Sequence, residues 1–248
     1  MPTLEALIAI PAIFLLGGLV KGVAGIGLPT VAIALMAVFI GLKEGIALMV
    51  VPTLATNIWQ ALSGGRLRDI LQRFWSLLIA AALGAWLGAG ILAGADAMML
   101  AALLGGLLCL YSAISLAAPP VPSPGRAEGW LSPIVGAVSG LIGGMTGSYS
   151  VPGVLYLQAL RLGRDLLVQT LGVVFVVFTF SLGAGLTRHG LMSPTIALLS
   201  VAATIPALAG MAAGQQLRRR LSEEAFRQIF FVVLFALGAW LMARPLIG

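Results

Sequence analysis

Ten apolar stretches, separated by short breaks that carry most of the charge, decide what this chain can fold into. They run over about residues 4–21, 29–42, 45–63, 74–94, 97–117, 131–145, 149–160, 166–187, 192–216 and 224–243. A helix rising about 1.5 Å per residue crosses about 30 Å of hydrocarbon in roughly 20 residues. Most of the stretches are long enough, and the second and seventh are short. Sixty per cent of the 248 residues are hydrophobic and 9% are charged, against roughly a quarter charged in a soluble globular domain. No water-soluble fold of this size hides so much apolar surface, whereas a bilayer accepts it. The expected fold class is therefore an all-α integral membrane protein of about ten helical segments, with 8–10 crossings.

The net charge of +6 would raise nucleic acid as a partner in a soluble chain. Here the Lys and Arg residues sit between apolar runs and read as topological signals, which stay cytoplasmic during insertion. Nucleic acid is not an expected partner; the lipid bilayer and a small anionic substrate are, and the oligomeric state stays open. Cys109 is the sole cysteine, which excludes an internal disulfide and a cysteine-based metal cluster. No metal and no cofactor is expected. Met1-Pro2-Thr3-Leu4-Glu5 offers no basic segment and no small-residue cleavage site, so the first apolar stretch is expected to be a retained helix.

Five segments, a Pro-rich linker and five more segments suggest an internal duplication: residues 1–118, a linker at 119–130, and residues 131–248. Gly18, Gly22 and Gly25 match Gly136, Gly140 and Gly143 in spacing; Lys43-Glu44 corresponds to Arg164-Asp165, and Gly88 to Gly210. An odd number of crossings per repeat inverts the second half relative to the first. With the N-terminus outside, cytoplasmic breaks hold Lys21, Arg66, Arg68, Arg73, Arg126, Arg161, Arg164, Arg218, Arg219, Arg220 and Arg227, and external ones hold Lys43, Arg188 and Arg244. Eleven against three is a positive-inside bias that places both termini outside. If the short segments are re-entrant and do not cross, only Lys21 changes status.

Gly22-Val23-Ala24-Gly25-Ile26-Gly27-Leu28-Pro29 and Gly140-Leu141-Ile142-Gly143-Gly144-Met145-Thr146-Gly147 resemble the paired glycine-rich motifs of the TauE/SafE sulfite exporter family. The resemblance extends over nearly the whole chain, through length, repeat order and linker position. It implies two homologous halves, each with a glycine-rich break near its first helix. It also implies transport of sulfite, sulfoacetate or related sulfur-containing anions, usually outward across the bacterial inner membrane. The family often has three consecutive glycines and then Val-Pro. This chain has Gly25-Ile26-Gly27 in the first half, and Gly143-Gly144 with Val151-Pro152 in the second.

A helix broken inside a membrane exposes backbone N–H and C=O groups, which persist only where protein or a water-lined cavity covers them. Gly25, Gly27, Gly143, Gly144 and Gly147 permit such breaks. Pro29 suits the first turn of a restarting helix. Thr30, Thr146, Ser148, Tyr149 and Ser150 are placed to cap or line the new N-termini, whose free N–H groups favour an anion. Inverted-repeat transporters build midplane sites in this way. The alternative is tight helix packing through small residues, which is the expectation for Gly18, Gly22, Gly84 and Gly88.

Thr53, Thr56, Asn57 and Gln60, at i, i+3, i+4 and i+7, share one helix face about 100° wide. They point either at substrate oxygens or at partner helices through interhelical hydrogen bonds. Lys21 either faces a cavity, charging it for an anion, or snorkels to the interface. Metal-ligand clusters, a His beside a nucleophile and useful carboxylate pairs are missing, so catalysis is not expected. The expected mechanism is alternating access around a midplane anion site formed by both breaks and the polar stripe, with efflux driven by membrane potential. A passive anion channel and a non-transporting membrane assembly or scaffold protein are the rival readings.

Overall fold

The structure, a computed structural model, describes residues 4–117, 122–218 and 222–247. Arg219 and Arg220, and residues 118–121, which include the start of the expected linker, lie outside the described residues. Among the described residues the chain forms α1 (Leu4–Ala24), α2 (Leu28–Phe39), α3 (Leu42–Leu48), α4 (Val50–Leu62), α5 (Leu67–Gly94), α6 (Ala97–Ala117), α7 (Glu128–Thr146), α8 (Leu155–Ala159), α9 (Arg164–Arg188), α10 (Pro194–Leu217) and α11 (Glu223–Ile247). Six of these, α5, α6, α7, α9, α10 and α11, are long and apolar enough to cross a membrane. Helices α3 and α4 make a seventh candidate across a bend of 41°. The apolar part of α1, Ile8–Ala24, and α2 are shorter. The protein is an all-helical, multi-pass membrane protein.

The stretch 45–63, expected as one segment, bends at Met49, and Pro52 supplies the reason. A proline removes the hydrogen bond to the carbonyl four residues earlier and crowds it. That carbonyl belongs to Leu48, and it accepts instead from the Ser200 hydroxyl of α10 at 2.7 Å. Ser200 Oγ in turn accepts from the Val51 amide at 3.2 Å. One hydroxyl thus satisfies both backbone groups that the bend releases. The stretch 149–160 also forms less helix than expected. A wide, irregular turn over Ser150–Val154, with a cis Val151–Pro152 peptide, precedes the single short helix α8.

Glycine contacts fix how the helices run. Gly18 and Gly22 of α1 pack against the backbone of Ala207 and Met211 of α10, so these two helices are parallel. Gly140 and Gly144 of α7 pack in the same manner against Ala81 and Ala85 of α5, also parallel. A methyl group at Gly22 or Gly144 would collide with the facing backbone. Such close approach is how helices gain van der Waals contact in lipid, where no hydrophobic force joins them. Helices α4 and α9 are antiparallel, with Val50 against Gly183 and Gln60 against Val168 and Gly172. So are α6 and α11, where Gly105 meets Gly238 and Ser115 meets Arg227.

These contacts set a register one turn from the expected one. By its neighbours Gly18 answers to Gly140 and Gly22 to Gly144, while Gly88 answers to Gly214. A pattern with a glycine every fourth residue looks the same after a shift of one turn, so spacing alone did not fix it. In the new register Gly25 aligns with Gly147, and both have left-handed backbone (φ 80° and 76°). The same contacts gather the described Arg66, Arg68, Arg73, Arg126, Arg161, Arg164, Arg218 and Arg227 at one end of the bundle, the basic end. Arg73 and Glu128 tie α5 to α7 there through two bonds of 2.7 and 2.8 Å. At the opposite end Lys43 donates to Ala93 O at 3.1 Å and Arg244 to Ala37 O at 3.0 Å.

Candidate anion site

Helix α1 ends at Ala24 because Gly25 turns left-handed, and its last turn carries Lys21. The side chain does not snorkel. Lys21 is 3% exposed and points at the α4 stripe. Its Nζ donates to Asn57 Oδ1 at 2.5 Å and to Thr56 Oγ1 at 3.2 Å. Both acceptors are held by their own helix. Asn57 Nδ2 donates to Thr53 O at 2.8 Å, which turns the amide oxygen toward the ammonium. Thr56 Oγ1 donates to Pro52 O at 2.9 Å. Lys21 therefore meets two neutral oxygens, and among the described residues no carboxylate forms an ion pair with it. A buried charge paired only with dipoles carries an unrecovered desolvation cost.

Beside it lies a cavity of about 330 Å³ at the basic end, between α1, α4, α9 and α10. Lys21, Gly25, Thr56, Gln60, Asp165 and Arg218 are among its walls. Gln60 also donates to Val168 O at 2.6 Å, and Gln169 donates to Ala61 O at 2.8 Å, so both glutamines stitch α4 to α9. Within the stripe, Thr56 and Asn57 accept from Lys21, while Gln60 lines the cavity and bonds the neighbouring helix.

The two glycine-rich breaks meet deeper in the fold. Gly27, left-handed at φ 108°, caps α2 ahead of Pro29. Thr30 Oγ1 lies 3.4 Å from Ser150 Oγ, which accepts from Ser148 Oγ at 3.1 Å. Gly27, Thr30 and Ser150 border a gap of only about 10 Å³. A second cavity, about 350 Å³, lies against Ala24, Ile26, Tyr111, Arg164, Arg218 and Arg227. The single pocket expected from the sequence is therefore divided. Residues 25–27 separate the Lys21 cavity from the second one, with Gly25 lining the first and Ile26 the second.

The remaining expected residues have other surroundings. Gly143 and Gly144 pack within the bundle, against Phe178 and against Ala85 and Gly88. Thr146 donates to Ile142 O at 2.8 Å and accepts from the Ser148 amide. Gly147 ends α7 and sits against Ile33 and Ile46. Tyr149 is buried between Phe175 and Phe178, with Ser139 beside its hydroxyl, and the Thr53 hydroxyl has no partner among the described residues. The site is strongly asymmetric. In the register that aligns Gly25 with Gly147, Lys21 and Thr56 fall opposite Gly143 and Phe178, and the Phe178 ring fills the space beside Gly143. A hydrocarbon plug stands where the first half has its cation.

Sequence reasoning missed Tyr111, Asp165 and Arg218 as cavity residues. A tyrosine inside an uncharged run was the available signal for Tyr111; nothing local distinguished Arg218 from a topological arginine.

A family model described as "Sulfite exporter TauE/SafE" matches residues 10–241. No curated protein and no solved structure matches the chain.

Proposed function

This chain belongs to the sulfite exporter TauE/SafE family, and from that premise we propose that it carries a small sulfur-containing anion, sulfite or an organosulfonate such as sulfoacetate, out of the cell by alternating access. The observation that carries the reading is the buried Lys21 ammonium, held by Asn57 and Thr56 beside a cavity and ion-paired with no carboxylate among the described residues. An incoming oxyanion supplies the direct counter-charge that Asn57 and Thr56 do not. The binding set is Lys21, Thr56, Asn57 and Gln60, with Gly25 giving backbone access, and the hydroxyls of Thr30, Ser148 and Ser150 lie further along the path.

Two halves of opposite orientation rock around this path. Support comes from the antiparallel pairing of α4 with α9 and of α6 with α11, and from the parallel pairing of each half's first helix with the other half's fourth. The basic end faces the cytoplasm by the positive-inside rule, so both termini are external and both cavities sit at the cytoplasmic end of a bacterial inner membrane. An anion leaving a negative interior gains about 2.3 kcal/mol per charge per 100 mV, which drives efflux.

Proteoliposomes test the reading with a panel of sulfite, thiosulfate, sulfoacetate, taurine and simple carboxylates. Saturable flux of a sulfur oxyanion is expected, with counter-substrate exchange, and Lys21→Gln should lower it at least about tenfold, the scale of one charged hydrogen bond. Flux without exchange would favour a channel. Absence of flux for every anion would leave an assembly role.

A further inference from the structure

Two hydroxyls on helices α4 and α9 stand outside the binding set above. Thr53 and Thr179 are fully buried, and neither hydroxyl has a hydrogen-bond partner among the described residues. The other buried threonines are satisfied. Thr56, Thr146 and Thr170 donate to the carbonyl four residues earlier, and Thr30 lies beside Ser150. An unpaired hydroxyl in a membrane interior is costly, and polar groups at that depth mark substrate paths.

The packing brings these two hydroxyls to one level. Val50 meets Gly183 and Gln60 meets Gly172, so the antiparallel register sets Thr53 level with Thr179. Thr53 lies three residues after Val50 and seven before Gln60, and Thr179 lies seven after Gly172 and four before Gly183. At helical spacing each therefore stands on the stripe that faces the other helix. In the register that aligns Gly25 with Gly147, Asn57 answers to Thr179 and Ala55 to Val177. Ala55 and Val177 are also level across the helix pair, so the twofold axis relating two inverted halves passes between them. Inverted-repeat transporters hold substrate at such an interface, near the bilayer midplane. Asn57 donates to Thr53 O, which places Thr53 one turn past the Lys21 acceptor, away from the basic end.

We propose that Thr53 and Thr179 form a midplane station for the transported oxyanion, one turn beyond Lys21, where both hydroxyls donate to it. The inference rests on the anion-carrier reading above. Neutral donors suit this step. A sulfur oxyanion accepts from several hydroxyls at once, and these bonds are weaker than the charge-assisted ones that would hold it in place. The anion loads beside Lys21 and passes to the hydroxyls when α4 and α9 part.

The test is efflux of sulfite and sulfoacetate from proteoliposomes carrying the full chain, Thr53→Val or Thr179→Val, variants that keep a branched side chain and remove the donor. Each should lower maximal flux about fivefold, the loss of one neutral hydrogen bond. The half-saturating concentration should stay unchanged, because the bond forms only after loading. Thr53→Ser and Thr179→Ser should keep the wild-type flux. Both valine variants should melt at or above the wild-type temperature, since no partner is lost. Wild-type flux in either valine variant would overturn the station and leave the carrier reading standing. A raised half-saturating concentration at unchanged maximal flux would do the same, by assigning the hydroxyls to the loading site. A lowered melting temperature or a failure to fold would also overturn it, by making the hydroxyls structural. Wild type that moves no anion of the panel would overturn both readings.

Discussion

Among the described residues the Lys21 ammonium is held by neutral groups, Asn57 and Thr56, and this is the feature a substitution can probe most sharply. Asn57→Asp keeps the shape of the side chain and replaces the amide oxygen, 2.5 Å from Nζ, with a permanent carboxylate. The resulting buried ion pair removes the cavity's uncompensated charge. The expected outcome is a protein that still folds, the new ion pair offsetting the lost Asn57–Thr53 bond, with anion efflux reduced at least about tenfold. Efflux at the wild-type rate would show that Lys21 is only a structural cation. Asn57→Leu and Gln60→Leu are each expected to lower transport while the protein still accumulates in the membrane; normal flux in both would remove the stripe from the site. These side chains were legible in the sequence because polar residues at helical spacing in an apolar segment share a face. The pairing of Lys21 with Asn57 was not, since 36 residues separate them and only the packing of α1 and α4 against the same helix, α10, brings them together.

Among the elements, the bend between α3 and α4 and the glycine seams make separate demands. Ser200→Ala leaves the Leu48 carbonyl and the Val51 amide without their shared hydroxyl. It should cost about 1–3 kcal/mol in an unfolding titration, the usual cost of unsatisfied buried groups; no change in the midpoint would mean the bend does not depend on that bond. Gly144→Ala forces α5 and α7 apart and should destabilise by about 1–3 kcal/mol, as overpacked contacts do. Thermal melting that left Gly144→Ala level with wild type would refute the close seam. Helix existence was readable from the apolar runs, and so was the packing role of Gly18, Gly22, Gly84 and Gly88. The bend was not read, although Pro52 was visible, because a proline in a long apolar run also fits an intact membrane helix when a neighbour satisfies the freed carbonyl. The seam register escaped for the reason that repeats of small residues are degenerate by one turn.

For the whole molecule, the sequence conveyed the membrane class and the clustering of arginine at one end through composition and charge alone. It did not convey that the glycine-rich break is a wall between two cavities, because that depends on three helices converging near residues 25–27. The proposed topology has its own check in a Cys109→Ser background. Cysteines introduced at Arg126 and at His189 should react with a membrane-impermeant thiol reagent from opposite sides, the second from outside the cell; labelling of both from one side would contradict the inverted arrangement. The central claim is that an oxyanion sits beside Lys21, and selenite, a heavier analogue of sulfite, can locate it directly. An anomalous difference map from crystals grown with selenite should place selenium about 4 Å from Lys21 Nζ, the distance set by one charge-assisted N–H···O contact plus the Se–O bond. Density elsewhere, with none beside Lys21, would contradict the account.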